Sequence, residues 1–281
     1  MEINQTKTVI ETINENYDQI FSAERKVADF ILSFPELAVN ANVSELANYS
    51  NVSDATVIRF CKHIGYQGYY QLRIILSRDL GRKQVYESED LSGEDQSVNG
   101  LFKMFASNFL KIGQNLDDET ILACASVIRN CNQAHVIAVG NTSPLALYMG
   151  FRLGRLGIRS SYGMIPEYFM NHINLAEKND IVIAISQSGC SKLVVQGMEL
   201  AKEKGLVTIA ITAHKYSPVS RLADYLLLST VGEKSFYYYK SYSHLYEAGV
   251  VEALLYYVTN EDKINDKGAD KPEIILSESK L

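Results

Sequence analysis

The spacing of hydrophobic positions changes partway along the chain. Up to about residue 80, apolar residues recur every three or four positions, which places them on one face of a helix. No run of β-branched residues interrupts this region. We therefore predict an all-helical domain over residues 1–80. One of its apolar stripes is Val27, Phe30, Ile31 and Phe34, ended by Pro35.

The C-terminal region contains short, continuous apolar runs instead. Helical patterns separate these runs, and such alternation is typical of a parallel sheet with helices on both faces. We predict an α/β three-layer sandwich with a parallel sheet over residues 106–260, so the fold class is multidomain, all-α followed by α/β. The runs are VIAVG (136–140), DIVIAIS (180–186), LVTIAIT (206–212) and DYLLLS (224–229).

Two polar segments flank the predicted α/β domain. The stretch that begins RKQVYESEDLSGEDQ after Gly81 is acidic and poor in periodic apolar residues, which predicts a linker over 81–105. After Asn260 the chain is again polar and of mixed charge. We expect this tail, 261–281, to be loosely ordered or to cross to a neighbouring subunit.

Composition narrows the class of protein. The chain has 281 residues, of which 47% are hydrophobic and 21% charged, as in ordinary globular proteins. No apolar run reaches the roughly 18 residues that a membrane span needs. The first residues also lack the basic-then-apolar order of a signal peptide. We expect a cytoplasmic protein with no membrane partner. The four cysteines show no CxxC spacing, so we predict reduced thiols, no metal site and no cofactor.

Net charge alone argues against a nucleic-acid partner, because it is −6. Charge is unevenly distributed, however. Between residues 53 and 83 the chain has six basic residues and two acidic ones, a local net charge of +4. A basic segment of this kind is compatible with DNA binding despite the acidic net charge.

A serine-rich loop, SQSGCS (186–191), follows one of the apolar runs. In a doubly wound sheet, ligands bind where strand gives way to helix. A helix that begins near Lys192 would direct unpaired N–H groups and a partial positive charge toward this point. Serine hydroxyls add short donors, and Gly189 lets the backbone approach, so the loop suits a phosphate.

A second loop, GNTS (140–143), repeats this chemistry ahead of Pro144, a residue suited to a first helical turn. Either loop alone is more often structural, because Ser and Thr commonly cap helices. Two such loops on one sheet favour a shared binding pocket. Neither loop is a GxGxxG, P-loop or GxSxG motif, which disfavours nucleotide binding and hydrolase chemistry.

Residues from about 115 to 255 resemble a sugar isomerase (SIS) domain, whose phosphosugar pocket is marked by these two loops. The resemblance implies a five-stranded parallel sheet, a homodimer or higher homo-oligomer, and a phosphorylated sugar as ligand. Asn141 departs slightly from the family pattern, which affects the sugar contacts more than the phosphate contacts. The predicted sugar-phosphate contacts are Gly140, Asn141, Ser143, Ser186, Gln187, Ser188, Gly189, Ser191 and Glu247.

The N-terminal domain contains a candidate helix-turn-helix between residues 43 and 73. A short helix opened by Ser44, a turn at Asn51-Val52 and a second helix opened by Ser53 fit this motif. We expect Ala47, Val52, Val57 and Ile58 to form the core between the two helices. The predicted DNA contacts are Ser44, Ser53, Asp54, Ala55, Thr56, Arg59, Lys62 and Tyr69.

The segments SAERKVADFIL (22–32) and SELANYSNVSDATVIRFCKHIGYQGYYQLR (44–73) look like the N-terminal domain of RpiR-type transcription regulators. Members of this family join such a domain to an SIS domain, in the order seen here. The resemblance implies a double-stranded DNA operator as partner. Paired recognition helices predict that the operator is an inverted repeat.

An enzyme is the alternative, because SIS-fold isomerases move a proton with a positioned side chain. Glu167, His172, His244 and Glu247 are candidates, although each suits a surface or packing role better. We assign no catalytic residue. The attached helix-turn-helix favours a sugar-phosphate-responsive regulator. A sugar-phosphate isomerase ranks second, and a structural DNA-bound protein ranks third.

Overall fold

A computed structural model describes residues 7–87, 97–163, 165–229 and 244–259, together with 274, 275, 277 and 278. The chain divides into two units between Asn108 and Phe109. The division lies three residues beyond the end of the predicted linker. The exact domain boundaries remain predictions.

The described part of the first unit is helical, as its periodicity predicts. Its apolar stripes converge on one core that includes Val27, Ile31, Leu46, Phe60 and Leu72. The helices are α1 (Val9–Asn16), α2 (Ser22–Ser33), α3 (Pro35–Asn40), α4 (Val43–Tyr49), α5 (Asp54–His63) and α6 (Tyr69–Glu87).

Helices α4 and α5 form the predicted helix-turn-helix. Asn51 lies in the turn with a positive φ of 49°, and the Ser53 hydroxyl accepts a hydrogen bond from the Thr56 N–H to cap α5. Ala47 and Val57 are buried, and Val52 packs against the same core. The prediction for Ile58 is wrong, since 40% of this residue is exposed.

The start of α4 also differs from the prediction. Asn42, not Ser44, is the cap, and its side-chain oxygen accepts hydrogen bonds from the N–H groups of Ser44 and Glu45 at 2.9 and 3.0 Å. The Glu45 carboxylate accepts the Asn42 N–H in return. This reciprocal capping box satisfies three donors that a helix start otherwise leaves unpaired.

Both ends of the predicted linker are helical. Helix α6 continues to Glu87, and α7 (Val98–Asn115) begins within the segment. Residues 88–96 lie outside the described part of the chain, as does most of the predicted tail. Of the helices that the structure describes, none combines the length and the apolar character that crossing a bilayer requires.

The second unit contains a five-stranded, all-parallel sheet in the order β2-β1-β3-β4-β5. Four strands lie in the predicted apolar runs, and β2 was not among those runs. The strands are β1 (Ala134–Ile137), β2 (Ser160–Tyr162), β3 (Ile181–Ile185), β4 (Val207–Thr212) and β5 (Tyr225–Leu228).

Helices cover both faces of this sheet. Every residue of β3 is buried, and successive strand residues point to opposite faces, so neither face of β3 is open to solvent. Val182 and Ala184 pack with residues of α10 and α11. Helices α8, α9 and α13 pack on the sheet and on one another, and α12 packs against α11 and β4. The helices are α8 (Asp118–Asn130), α9 (Ser143–Arg155), α10 (Pro166–Asn174), α11 (Lys192–Glu203), α12 (Pro218–Arg221) and α13 (Leu245–Thr259).

Helix α13 is apolar around most of its circumference. Its buried residues include Tyr246, Val250, Val251, Leu254 and Leu255, and it packs against α8, α9 and β4 within its own unit. These contacts within the unit explain why α13 is apolar on several sides, and they require no partner subunit. The homo-oligomer therefore remains a prediction whose interface this helix does not identify.

Candidate functional site

The two predicted binding loops begin on neighbouring strands. β1 pairs with β2 on one side and with β3 on the other. The chain therefore leaves β1 toward one edge of the sheet and leaves β3 toward the other. This reversal is a topological switch point, where open α/β sheets bind their ligands. The loops 140–143 and 186–191 follow β1 and β3 at this point.

Hydrogen bonds within the serine loop and to β4 hold it in place. Ser186 is 1% exposed, and its N–H donates to the Ile211 carbonyl at 3.0 Å. Its hydroxyl donates to the Ser191 hydroxyl at 3.4 Å, and the Cys190 N–H donates to the Ser188 hydroxyl at 3.3 Å. The Ser186 and Ser191 hydroxyls are thus in contact, and the Ser188 hydroxyl belongs to the same six-residue loop at the end of β3.

Ser191 is the N-cap residue of α11, but its hydroxyl accepts no capping hydrogen bond from the described residues. This matters because capping was the structural alternative to ligand binding. The first N–H groups of a helix lack acceptors within the helix and carry a partial positive charge. At α11 these groups lie next to the serine hydroxyls, an arrangement that suits an anion.

A third loop, 213–217, lies between β4 and α12 and supports the serine loop, although its sequence was not predicted to take part in the site. The Thr212 hydroxyl and the Ala213 N–H each donate to the Gln187 carbonyl at 3.0 Å. The Val219 N–H donates to the Gly189 carbonyl at 3.0 Å. Signals for this loop existed in the sequence: a threonine at a strand end, and Ser217-Pro218 at a helix start.

The first loop is more exposed. Gly140 has a positive φ of 62°, and Asn141 is exposed. The Thr142 hydroxyl donates to the Val139 carbonyl at 3.0 Å, and the buried Ser143 hydroxyl donates to the Ala138 carbonyl at 3.5 Å. Because the buried Ser143 hydroxyl is bonded to the backbone, the exposed Asn141 side chain is more available to a ligand than the Ser143 hydroxyl.

Glu247 lies elsewhere at the carboxyl edge of the sheet. It is 1% exposed, and its carboxylate accepts the Ser229 hydroxyl at 2.7 Å, just beyond β5. His244 Nδ1 is 3.5 Å from the same carboxylate. Glu247 belongs to α13, and the Ser229 N–H in turn donates to the Thr212 carbonyl at 3.0 Å. Its predicted contact with the ligand remains untested.

In the first unit, α5 has an exposed, mainly basic face. Ala55, Arg59 and Lys62 are exposed on it. Thr56 is buried, and its hydroxyl accepts Arg59 Nη2 at 3.3 Å, which orients the guanidinium. The Ser53 hydroxyl lies 3.0 Å from that of Thr56. Thr56 is therefore placed to position Arg59 rather than to reach a base itself.

Two residues predicted to contact DNA, Ser44 and Tyr69, make hydrogen bonds within the domain. Ser44 is fully buried, and its hydroxyl donates to Asp54 Oδ2 at 2.6 Å, which links α4 to the start of α5. Tyr69 is 6% exposed, and its hydroxyl donates to the backbone carbonyls of Ala38 and Ala41. Both side chains hold the domain together, and their contact with DNA remains a prediction.

Comparison with known families matches both units. Residues 7–83 match the profile of the helix-turn-helix domain of the rpiR family, and residues 127–254 match that of the SIS domain. The two profiles occur in the predicted order and cover most of the chain.

Individual proteins show the same similarity. The HTH-type transcriptional regulator YbbH of Bacillus subtilis is 30% identical over 206 residues, 72% of each chain. The HTH-type transcriptional regulator HexR of Pseudomonas aeruginosa is 26% identical over 258 residues, 90% of each chain. The Vibrio vulnificus NanR protein, solved in complex with ManNAc-6P, has a TM-score of 0.77 at 20% identity, over 96% of this chain and 98% of that one.

Proposed function

Because the chain belongs to the rpiR family of helix-turn-helix transcriptional regulators, we propose that it binds a DNA operator through α5 and that a phosphorylated sugar modulates this binding. The sugar phosphate binds between the loops 140–143 and 186–191. The observation that carries the proposal is the serine cluster at the switch point, placed against the uncapped start of α11.

The chemistry of the serine loop supports a phosphate ester. Hydroxyl groups and helix N–H groups donate hydrogen bonds to phosphate oxygens without requiring a lysine or arginine. Ser188 and Ser191 are half-buried, so their hydroxyls lie at the surface of the loop, whereas Ser186 holds the loop from beneath. The structural neighbour solved with ManNAc-6P supports the same class of ligand.

The exposed face of α5 supports major-groove binding. Arg59 and Lys62 supply hydrogen-bond donors and positive charge, and the helix-turn-helix motif places its second helix in the groove. Two copies of α5, related by a two-fold axis in a homodimer, would contact half-sites about 34 Å apart or a multiple of that spacing. We therefore expect the operator to be an inverted repeat.

A sugar-phosphate isomerase remains the alternative function. Isomerisation needs a base within hydrogen-bond reach of the substrate. The Glu247 carboxylate already accepts the Ser229 hydroxyl at 2.7 Å. The curated relatives YbbH and HexR are named as transcriptional regulators. Both points favour a regulator that binds its sugar phosphate without converting it.

The test is the operator affinity of the Ser188→Ala variant with and without sugar phosphate. Operator DNA is first selected from a random-sequence pool with the full chain, and the ligand panel contains hexose 6-phosphates and N-acetylmannosamine 6-phosphate. Allosteric coupling of ~1–3 kcal/mol predicts a roughly 5- to 150-fold change in wild-type affinity. Ser188→Ala should bind the operator normally but lose this response, because it lacks one phosphate donor.

Ser126→Ala serves as the matched control, since Ser126 is an exposed serine of α8 outside the loops. It should respond as the wild type does. A full ligand response in Ser188→Ala would contradict the assignment of the serine loop. Turnover of any sugar phosphate in the panel would favour the isomerase.

A further inference from the structure

Helix α5 has two distinct faces. Val57, Phe60 and Cys61, continued by the C-cap residue Ile64, form the buried stripe, at the spacing expected for one side of a helix. The opposite stripe, with the same spacing, consists of Ala55, Ile58, Arg59 and Lys62, all exposed. Ile58 is the one large apolar side chain in the second stripe, and the core does not require it.

We propose that Ile58 reads the C5-methyl group of a thymine in the major groove of the operator. This inference rests on the proposed DNA binding by α5. Ile58 has neither charge nor hydrogen-bond donor, so it cannot bind phosphates or the polar edges of bases. Among the groups that base pairs present in the major groove, the thymine methyl is the one that matches an apolar side chain.

The neighbours of Ile58 support a base-reading position. Arg59 follows directly, and its guanidinium is held by the Thr56 hydroxyl at 3.3 Å. Arginine pairs most often with guanine in the major groove. Ala55 lies one turn before Ile58 and is small enough to allow a base to come close. The face therefore combines one oriented donor group with one apolar contact, a pair suited to adjacent guanine and thymine.

The experiment substitutes deoxyuridine for thymidine, one position at a time, in operator DNA selected by the full chain. Deoxyuridine lacks only the C5-methyl group. Loss of one buried methyl contact should weaken wild-type binding roughly fourfold at one thymine of each half-site. Ile58→Ala should bind the thymine operator more weakly and should no longer distinguish thymine from uracil at that position.

Ile58→Val keeps a branched apolar side chain and should retain part of the discrimination. Leu122→Ala removes an exposed leucine from α8, 49% exposed, and should change neither affinity nor discrimination. Because Ile58 lies outside the core, its variants should keep the wild-type circular dichroism spectrum and melting temperature.

The outcomes separate this inference from the proposed function. If the full chain enriches no DNA sequence, the proposed operator binding fails and the inference fails with it. If DNA is enriched but Ile58→Ala still prefers thymine to uracil at every position, the inference alone is overturned. The same holds if Ile58→Ala changes the oligomeric state and leaves the thymine preference intact, since Ile58 would then contact another subunit.

Discussion

Gly189 shows how tightly the serine loop is constrained at the level of a single residue. Its φ of +63° lies in the left-handed region, which disfavours any residue with a Cβ. A Cβ at this position would also overlap the Ser217 side chain and lie 3.1 Å from Thr212 Oγ1. Both conformation and space therefore require glycine where the loop contacts its supporting loop.

We predict that Gly189→Ala destabilises the second unit more than a glycine substitution governed by φ alone. Gly205 has a φ of +71° and open space around it, so Gly205→Ala should cost only the ~1–2 kcal/mol of left-handed strain. Gly189→Ala should lose ~1–3 kcal/mol more because of overpacking. Urea unfolding of both variants measures the difference, and equal losses would contradict the role of Ser217.

At the scale of elements, β1 contains a buried histidine. His135 Nδ1 lies 2.7 Å from the Ser161 hydroxyl, Nε2 lies 3.5 Å from Asp180 Oδ2, and the His172 ring is 6.3 Å away. Burial lowers the pKa of His135 below its usual 6.5, although the hydrogen bond and charge of Asp180 act in the opposite direction. The native strand therefore favours the neutral imidazole.

This lowered pKa predicts a pH dependence of stability. Well above pH 6.5 the imidazole is neutral in both the folded and the unfolded chain, so it adds no penalty. As the pH falls below 6.5, the unfolded chain takes up a proton that the native strand resists, and the free energy of unfolding decreases.

The decrease attributable to His135 should be at most about 1.4 kcal/mol per pH unit. The free energy of unfolding of the second unit should fall less steeply between pH 7 and pH 5 in His135→Asn than in the wild type. Ser126→Ala, which changes no titrating group of the second unit, is the control and should keep the wild-type slope. Parallel curves for His135→Asn and wild type would refute the prediction.

Elements with strong periodicity were predictable from the sequence, and short or marginal ones were not. β3 and β4 stand out as continuous apolar runs because both of their faces are buried. β2 was not predicted because it has only three residues, SSY, and lies at the sheet edge beside β1. Val57 and Ile58 are adjacent and both apolar, so only the phase set by Phe60 and Cys61 decides which of them is buried.

The candidate site was also predictable only in part. The hydroxyls of 186–191 follow a recognisable strand, so their place at the sheet edge could be inferred. Contacts between distant segments could not be inferred, such as that of Thr212 with Gln187 or that of Tyr69 with Ala38. The second of these contacts gives Tyr69 a structural role that its spacing in the sequence did not indicate.

At the scale of the whole molecule, the chain consists of two units with separate cores. The first core comprises residues from α1 to α6, and the second contains sheet residues with α10, α11 and α12. Units with their own cores unfold as separate cooperative steps unless a large interface joins them. The proposed ligand contacts residues of the second unit alone.

We therefore predict two unfolding transitions, of which sugar phosphate shifts only one. At a ligand concentration of 100 Kd, the second unit should gain ~2.7 kcal/mol. Hydrogen exchange followed by mass spectrometry in increasing urea resolves peptides from 7–87 and 134–229 separately. Ser188→Ala should show no shift at the same ligand concentration. A single transition that the ligand moves in all peptides would contradict independent units.

The switch-point topology also sets an order of events during synthesis. The core of the first unit closes within residues 9–80, whereas the serine loop is complete only after β4 has paired with β3 and supplied Thr212. Ribosomes add ~5–20 residues per second, and domains fold as they emerge. The roughly 125 residues between the end of α6 and the end of β4 then take on the order of 6–25 s. Each new copy therefore completes its helix-turn-helix unit seconds before the proposed sugar-phosphate site, and in that interval it should be insensitive to the proposed effector.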